Sequence, residues 1–411
     1  MKLAKTFFAT ILLFTSLSFA EDFPGGNANV PSDNTNLEDE FEKGFSKDKG
    51  MSEADHRSVE ADRLKIGGYL QAEWMAYQLE KTAVKDFITS PMTMELYLDA
   101  QLKNDVRAFF KGRLVHDSSV DETVPSPLTG LAQRQNTSYL DEMKISFHSR
   151  RKIFWTIGRQ KIKWGASKFW NPTDFLNLQK RDFLRQEDLR SGISMVKAHI
   201  PWRDANFYIL GVNEAASESS QNGLAARMEL PIKTSEWSLS TFSRKGQMTR
   251  LGSDVSFALK DFDVYLEGAQ TDQGTDKSAS GGFSYEFKYS DDDTAAVGLE
   301  QFWQQNGTDD RTSYLGLLTS GKFVPFYIGK SYTSVSLFMM KPGTWNQSNI
   351  LLVAIMNNSD RSQYYRATWV YAGMSDLQWT VAIGGRVGDY DTEMKLFNQA
   401  YDGWLQMRVT F

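Results

Sequence analysis

The chain has 411 residues, 41% of them hydrophobic and 13% aromatic, with 46 basic and 51 acidic side chains, no Cys and a formal charge of −5. The absence of Cys excludes a disulfide framework, a thiolate zinc site and a cysteine nucleophile, and the mild acidity speaks against a nucleic-acid partner, which calls for a basic domain. A mean hydropathy of −0.44, with a long apolar run only at residues 6–20, excludes a polytopic helical membrane protein but not a membrane β-barrel, whose apolar residues occupy alternate positions.

Residues 1–20 carry Lys2 and Lys5, an apolar run from Thr6 to Leu17, and Ser18-Phe19-Ala20. That is a charged start, a run too short to span a bilayer and a small-x-small site, so a signal peptide cleaved after Ala20 is expected, with a secreted chain starting at Glu21. Residues 21–63 read as an acidic periplasmic extension: through residue 60 they hold eleven acidic and four basic side chains, with Gly25-Gly26 and Pro31. Such a segment buries too little apolar surface to offset ordering, and is expected to be mobile with a short helix near Leu37 to Phe45. It also accounts for the acidity. The leader contributes +2 and residues 21–60 contribute −7, while residues 61–411 carry forty basic and forty acidic groups.

From about Lys65 the pattern becomes alternation. Met92, Met94, Leu96, Leu98, Ala100 and Leu102 share one face, and Thr93, Glu95, Tyr97, Asp99 and Gln101 the other, because strand side chains alternate with period two. After a polar turn at Asn104-Asp105 the chain resumes with Val106, Ala108, Phe110, Gly112 and Leu114 on one side and Arg107, Lys111 and Arg113 on the other, which is a hairpin.

Residues 157–174 stand apart: Ile157-Gly158-Arg159-Gln160, Trp164-Gly165 and Asn171-Pro172-Thr173-Asp174. Gly158 and Gly165 allow close backbone approach, Asn-Pro opens a turn, and Arg159 can pair with a carboxylate such as Asp174. The run resembles a motif of a broad group of uncharacterised, porin-like bacterial outer-membrane proteins, with support from Phe302–Gly307 and Asn357–Ser362; that group has no settled substrate. The run leads into the longest charged loop, residues 161–190, with seven basic and four acidic side chains. Its length and charge make it the candidate for a loop folded into a lumen, and Arg181, Arg185 and Arg190 would then give a mild anion preference.

The hairpin unit recurs to the end of the chain. Short turns fall near 104, 150, 202, 233, 261, 291, 343 and 374, and longer polar connections near 80–91, 117–136, 164–190, 212–221, 272–279, 304–325 and 387–400. Short and long connections alternate, as the periplasmic turns and extracellular loops of an outer-membrane barrel do. Outward faces read Val264/Leu266/Gly268, Phe283/Tyr285/Phe287/Tyr289 and Leu377/Trp379/Val381/Ile383. The chain ends with Leu405, Met407, Val409 and Phe411 on one strand face. Here it resembles Gram-negative outer-membrane β-barrel proteins, whose last strand carries a terminal Phe, and the resemblance implies that these four residues are read by the barrel-assembly machinery. The expected fold is all-β: an antiparallel up-and-down transmembrane barrel over residues 64–411 with about eighteen strands, or sixteen if two weak segments are loops.

A barrel of this size encloses water unless a loop or plug closes it. Candidate pore-lining and constriction residues are Glu95, Asp99, Arg107, Lys111, Arg113, Arg159, Asp174, Arg181, Arg185 and Arg190. The reading is a porin-like channel for passive diffusion of small hydrophilic solutes; the rival is an accessory barrel plugged by its own loops, serving envelope assembly, export or adhesion. A hydrolase ranks third, because His116, His148 and His199 sit in no Gly-x-Ser-x-Gly context and share no metal-ligand spacing. No cofactor or metal is expected: Asp291-Asp292-Asp293 and Asp309-Asp310 lack the ligand spacing of a calcium loop. Expected partners are outer-membrane lipids and lipopolysaccharide, periplasmic chaperones and the assembly machinery. A homotrimer fits this class, although trimer contacts would lie on faces that look the same as lipid-facing ones.

Overall fold

The computed structural model describes residues 63–411 apart from 81–85, 103–104, 126–131, 178, 186, 215, 217–220, 291–292, 321–322 and 397–398. The expected signal peptide and acidic extension lie outside the described residues. The strands are β1 (Leu64–Leu79), β2 (Phe87–Thr89), β3 (Pro91–Leu102), β4 (Val106–Asp117), β5 (Asn136–Ser149), β6 (Ile153–Gln160), β7 (Ile193–Trp202), β8 (Ala205–Val212) and β9 (Gly223–Ile232). They continue with β10 (Ser235–Arg244), β11 (Arg250–Leu259), β12 (Phe262–Thr271), β13 (Lys277–Lys288), β14 (Thr294–Gln304), β15 (Ser331–Met340), β16 (Ser348–Asn357), β17 (Gln363–Met374), β18 (Leu377–Val387) and β19 (Gln399–Thr410).

From β3 onward each strand pairs antiparallel with the next, and β1 closes on β19 from Tyr69↔Thr410 to Leu79↔Gln399. β2 faces Met75–Tyr77 of β1 and β3 faces Leu64–Ala72 of the same strand. The two are therefore one wall position interrupted at Ser90, and the barrel has eighteen. Closure follows from the solvent: in lipid an open edge would leave unpaired amides and carbonyls, each costing several kcal/mol. The terminal residue joins the seam, with Phe411 and Gly68 exchanging both backbone hydrogen bonds at 3.0 Å.

Alternation sets the two faces as read from the sequence. Leu266 is 53% exposed on the outside while its neighbours Tyr265 and Glu267 are each 4% exposed inside. Short turns at one end are made by residues in the left-handed region: Asp105, Arg150, Arg151, Arg203, Lys233, Lys260 and Lys341, at φ between 50° and 60°. That conformation lets two-residue hairpins follow the twist of the strands, and here Lys and Arg take positions that Gly or Asn usually fill.

Two features depart from the sequence reading. The loop end also has compact connections, at 245–249, 272–276 and 358–362, so the asymmetry of connection length is not uniform. The outer turns at 245–249 and 358–362 are not among the longer connections expected from the sequence. In β5 the register slips by one residue, from Lys111↔Glu142 to Gly112↔Leu140. This bulge turns Asp141 and Glu142 both inward, at 0% and 4% exposure, a change of face that strict alternation cannot anticipate.

Replacing Leu266 by Arg would place a cation on the lipid face in mid-strand. We expect about 2–4 kcal/mol loss of stability, read as a shifted urea midpoint for unfolding from lipid vesicles.

Candidate functional site

The connection between β6 and β7 does not stay at the rim. Gly158 sits inside β6 at φ 122°, the strand keeps its pairing with β7 as far as Gln160, and beyond it Gly165 turns at φ 99°, sending the chain inward and across the lumen. At Gly165 a Cβ would stand 2.4 Å from the Glu267 carboxylate, so only glycine admits this approach.

The far wall holds the crossing segment by its backbone. Glu300 on β14 accepts the amides of Lys168 at 2.9 Å, Phe169 at 3.1 Å and Trp170 at 2.8 Å. It also accepts the Tyr265 and Ser280 hydroxyls at 2.8 and 3.0 Å. Glu267 on β12 accepts the amide of Ser167 at 3.1 Å and both the amide and hydroxyl of Thr173, at 2.6 and 2.8 Å. Both carboxylates lie four residues below the outer ends of their strands, about 10 Å down at the rise and tilt of barrel strands.

Apolar packing fixes the flanks. Ile162, Trp164, Phe175 and Leu176 pack with Ile193, Met195, Leu210, Val212, Ala225 and Phe242 on the inner faces of β7–β10. Further along, Trp170 is fully buried, stacks on Phe302 with ring centres 5.6 Å apart, and donates Nε1–H to the Phe326 carbonyl at 2.9 Å. Trp170 and Phe302 share this cluster with Tyr332, Val353, Ile355, Tyr364 and Met394. Glu393, in the β18–β19 loop, closes it by accepting from the Phe326 amide, the Tyr332 hydroxyl and Asn357 Nδ2. The three segments of the motif resemblance, 157–174, 302–307 and 357–362, therefore meet in one assembly.

The return arm, residues 177–192, runs beside β1 and β3–β5. Arg185 makes a two-pronged pair with Glu73, at 2.9 and 3.2 Å, and lies over Trp404 at 5.5 Å. Arg190 binds Asp174 at 2.8 Å and Asp188 at 2.6 Å. Burial opposes ionisation of Asp188, but the Arg190 guanidinium holds that carboxyl below its usual range. Arg113 grips Asp141 and donates to the Leu189 carbonyl at 2.7 Å, and Arg408 pairs with Glu187. Between arm and wall lies a cavity of about 470 Å³, bordered by Tyr69, Glu73, Arg113, Arg159, Arg185 and Arg190 among others.

The predicted site residues fall into three groups. Glu95–Lys111 at 2.9 Å and Asp99–Arg107 at 2.5 Å are ion pairs between β3 and β4. Arg113, Asp174, Arg185 and Arg190 come together around the return arm. Arg181 forms no ion pair among the described residues, and its Nε is buried without a partner. The expected Arg159–Asp174 pair does not form: Arg159 binds Glu214 at 3.1 Å and Asp174 binds Arg190. The inward turn beyond Gln160 carries Asp174 away toward the return arm, while Glu214 stands two residues past the end of β8, one strand beyond the paired β7. His116 and His199 contact Asn136 and Asn206, and His148 contacts Asp105 at 3.1 Å. No group of three or more potential metal ligands occurs among the described residues.

Glu267, Glu300 and Glu393 were not among the predicted site residues. A signal existed for Glu300: its cross-strand neighbours are Gly282 and Ser334, so no cation on the wall balances it and the donors must arrive from elsewhere.

No family model and no curated protein matches the sequence. Among solved structures, the chain is similar to Acinetobacter baumannii OccAB3, at 11% identity over 85% of this chain and 99% of that one, with a TM-score of 0.57. It is similar also to OccAB4 of the same organism, at 10% identity over 85% and 98% of the two chains, with a TM-score of 0.55. The shared feature is the fold: a closed antiparallel barrel of the outer-membrane type.

Two outcomes follow. Charge-assisted hydrogen bonds contribute roughly 1.5–3 kcal/mol each, so Glu300→Gln should lower hydrogen-exchange protection at Lys168, Phe169 and Trp170 by about tenfold or more, with the barrel amides unchanged. Burial pushes the Glu393 carboxyl up to about 7 from 4.5, against the pull of its hydrogen bonds from Tyr332, Phe326 and Asn357. A carboxyl raised in the folded state stabilises below its unfolded value and loses that contribution as pH rises through about 7. The Phe326 region should thus be more protected at pH 5 than at pH 8, by up to about 3 kcal/mol, and Glu393→Gln should remove the difference.

Proposed function

We propose that the protein is a porin-like outer-membrane channel for passive diffusion of small hydrophilic solutes, narrowed by residues 161–190. The observation that carries this reading is the crossing segment itself, pinned to the far wall at Glu267 and Glu300 while a cavity stays open on the near side. The segment and its two apolar clusters fill the side of the lumen lined by β7–β17. In this reading the water-filled route runs eccentrically along β1 and β3–β5, beside the cavity there. The motif at 157–174 is read as the mark of the porin-like group it resembles.

A mild anion preference is part of the proposal. Lys163, Lys180, Arg181 and Arg250 form no ion pair among the described residues. Loss of bulk water lowers the Lys163 and Lys180 ammonium groups below the usual lysine range, with further lowering from Arg181 on Lys163 and from Arg250 on Lys180. These cations share one region with Asp174, Glu267 and Asp276, whose charges act on the two lysines in the opposite direction, and in this reading the cations without an ion pair set the sign by which ions are sorted.

Purified protein in planar bilayers should open ohmic, water-filled channels, and in a KCl gradient Arg181→Glu should move the reversal potential toward cations. Absence of conductance would favour the accessory-barrel reading, in which the crossing segment is a plug.

A further inference from the structure

The short-turn end of the barrel carries its charge unevenly. The β5–β6 turn holds Arg150, Arg151 and Lys152 and the β7–β8 turn holds Arg203, all four exposed. The β9–β10, β11–β12 and β15–β16 turns hold one cation each, Lys233, Lys260 and Lys341. Against the four stands the exposed carboxylate of Asp204, because Asp105 of the β3–β4 turn is engaged by His148 at 3.1 Å. Arg150, Lys152 and Arg203 form no ion pair among the described residues. The Lys152 amide bonds the Ser149 carbonyl at 3.0 Å, with Arg150 and Arg151 at φ 53° and 54° between them. Asn-Gly holds such a turn without strain, so the fold itself does not call for two arginines there.

The chain enters the barrel at this same end, since Leu64 of β1 pairs with Ala100 near the β3–β4 turn. The sequence before it concentrates its acidity in one run, Glu38-Asp39-Glu40-Phe41-Glu42, whereas residues 43–63 hold five basic and five acidic side chains. At the spacing of paired strands, the β5–β6 and β7–β8 turns lie about 15–30 Å along the rim from β1. The twenty residues 43–62 span about 25 Å with coil statistics and at most about 70 Å extended. The tether therefore matches the span, the condition under which an attached segment reaches its highest local concentration, in the millimolar range.

We propose that the basic patch formed by Arg150, Arg151, Lys152 and Arg203 is the docking surface for residues 38–42 of the same chain. One exposed ion pair contributes little, so binding depends on four cations meeting four clustered carboxylates. Anionic lipid is the weaker fit: lipid surrounds the barrel on every side, while these cations gather on two adjacent turns close to where the chain enters. Docking gives the acidic excess of the chain a partner within the same molecule. It does not depend on whether the barrel conducts.

Because the chain has no cysteine, spin labels on Gly44→Cys and Ser149→Cys report the distance between segment and patch by pulsed electron resonance. The labelled full chain is folded into phosphatidylcholine vesicles, which carry no net anion. At low salt a narrow distribution within about 20 Å is expected, since Gly44 follows the acidic run by two residues. In 1 M KCl, where the screening length falls to about 3 Å, it should broaden and lengthen. Reversing Arg150, Arg151 and Arg203 to Glu should broaden it at low salt, and adding Glu38→Lys, Asp39→Lys, Glu40→Lys and Glu42→Lys should restore the short distance. That restoration also shows that the reversed barrel has folded. A broad distribution at low salt in the unreversed chain, or a short one that survives reversal, would overturn the proposal. A broad distribution together with stronger retention of phosphatidylglycerol by the unreversed chain would overturn it too, and would assign the patch to lipid.

Discussion

Five backbone amides of residues 167–173 end on two wall carboxylates, and the interior of the barrel is organised around that contact. Irregular backbone inside a lumen carries N–H groups that must find partners, and a buried carboxylate costs several kcal/mol unless donors surround it. Glu267 and Glu300 and the crossing segment resolve both costs at once. Neither side is stable in that position alone: the acids have no cation across the strand to pair with, and the segment has no strand or helix of its own.

From that anchor the rest of the lumen follows. With the segment fixed on β12 and β14, its two ends must return to β6 and β7, which places Trp164 and Phe175 over one set of apolar inner faces and Trp170 over another. The inner faces of β7–β10 can be apolar only because the segment covers them. On the near side the wall remains charged and the return arm adds Arg185 and Arg190. The asymmetry of the cavity is thus a consequence of where two glutamates sit on two strands.

The barrel was legible in the sequence because a sheet between lipid and water writes its geometry as alternation. The faces of β3, β4, β12, β13, β18 and β19 follow it residue by residue. Alternation failed at Asp141, where a bulge changes the phase, and it could not give the partner of Arg159, because the chain turns inward only beyond Gln160. The run 157–174 stood out through its Gly, Trp and Asn-Pro residues, yet its partners did not, because Glu267, Glu300 and Phe302 lie about a hundred residues or more away and touch it only after closure. Contacts set by the folding of a loop across a lumen have no period to read. The pairing of Arg190 with Asp174, rather than Arg159 with Asp174, is of this kind.

The connection between β6 and β7 crosses the lumen and is fastened to the opposite wall. Lys168 Nζ meets Ser284 Oγ of β13 at 2.9 Å, and the chain has no cysteine of its own. The most direct measurement is therefore crosslinking of a Lys168→Cys, Ser284→Cys variant, folded in lipid vesicles, with a short bifunctional thiol reagent. An intramolecular crosslink is expected in the folded barrel and none after unfolding. Free labelling of both cysteines without a crosslink would place the segment away from the far wall and contradict it.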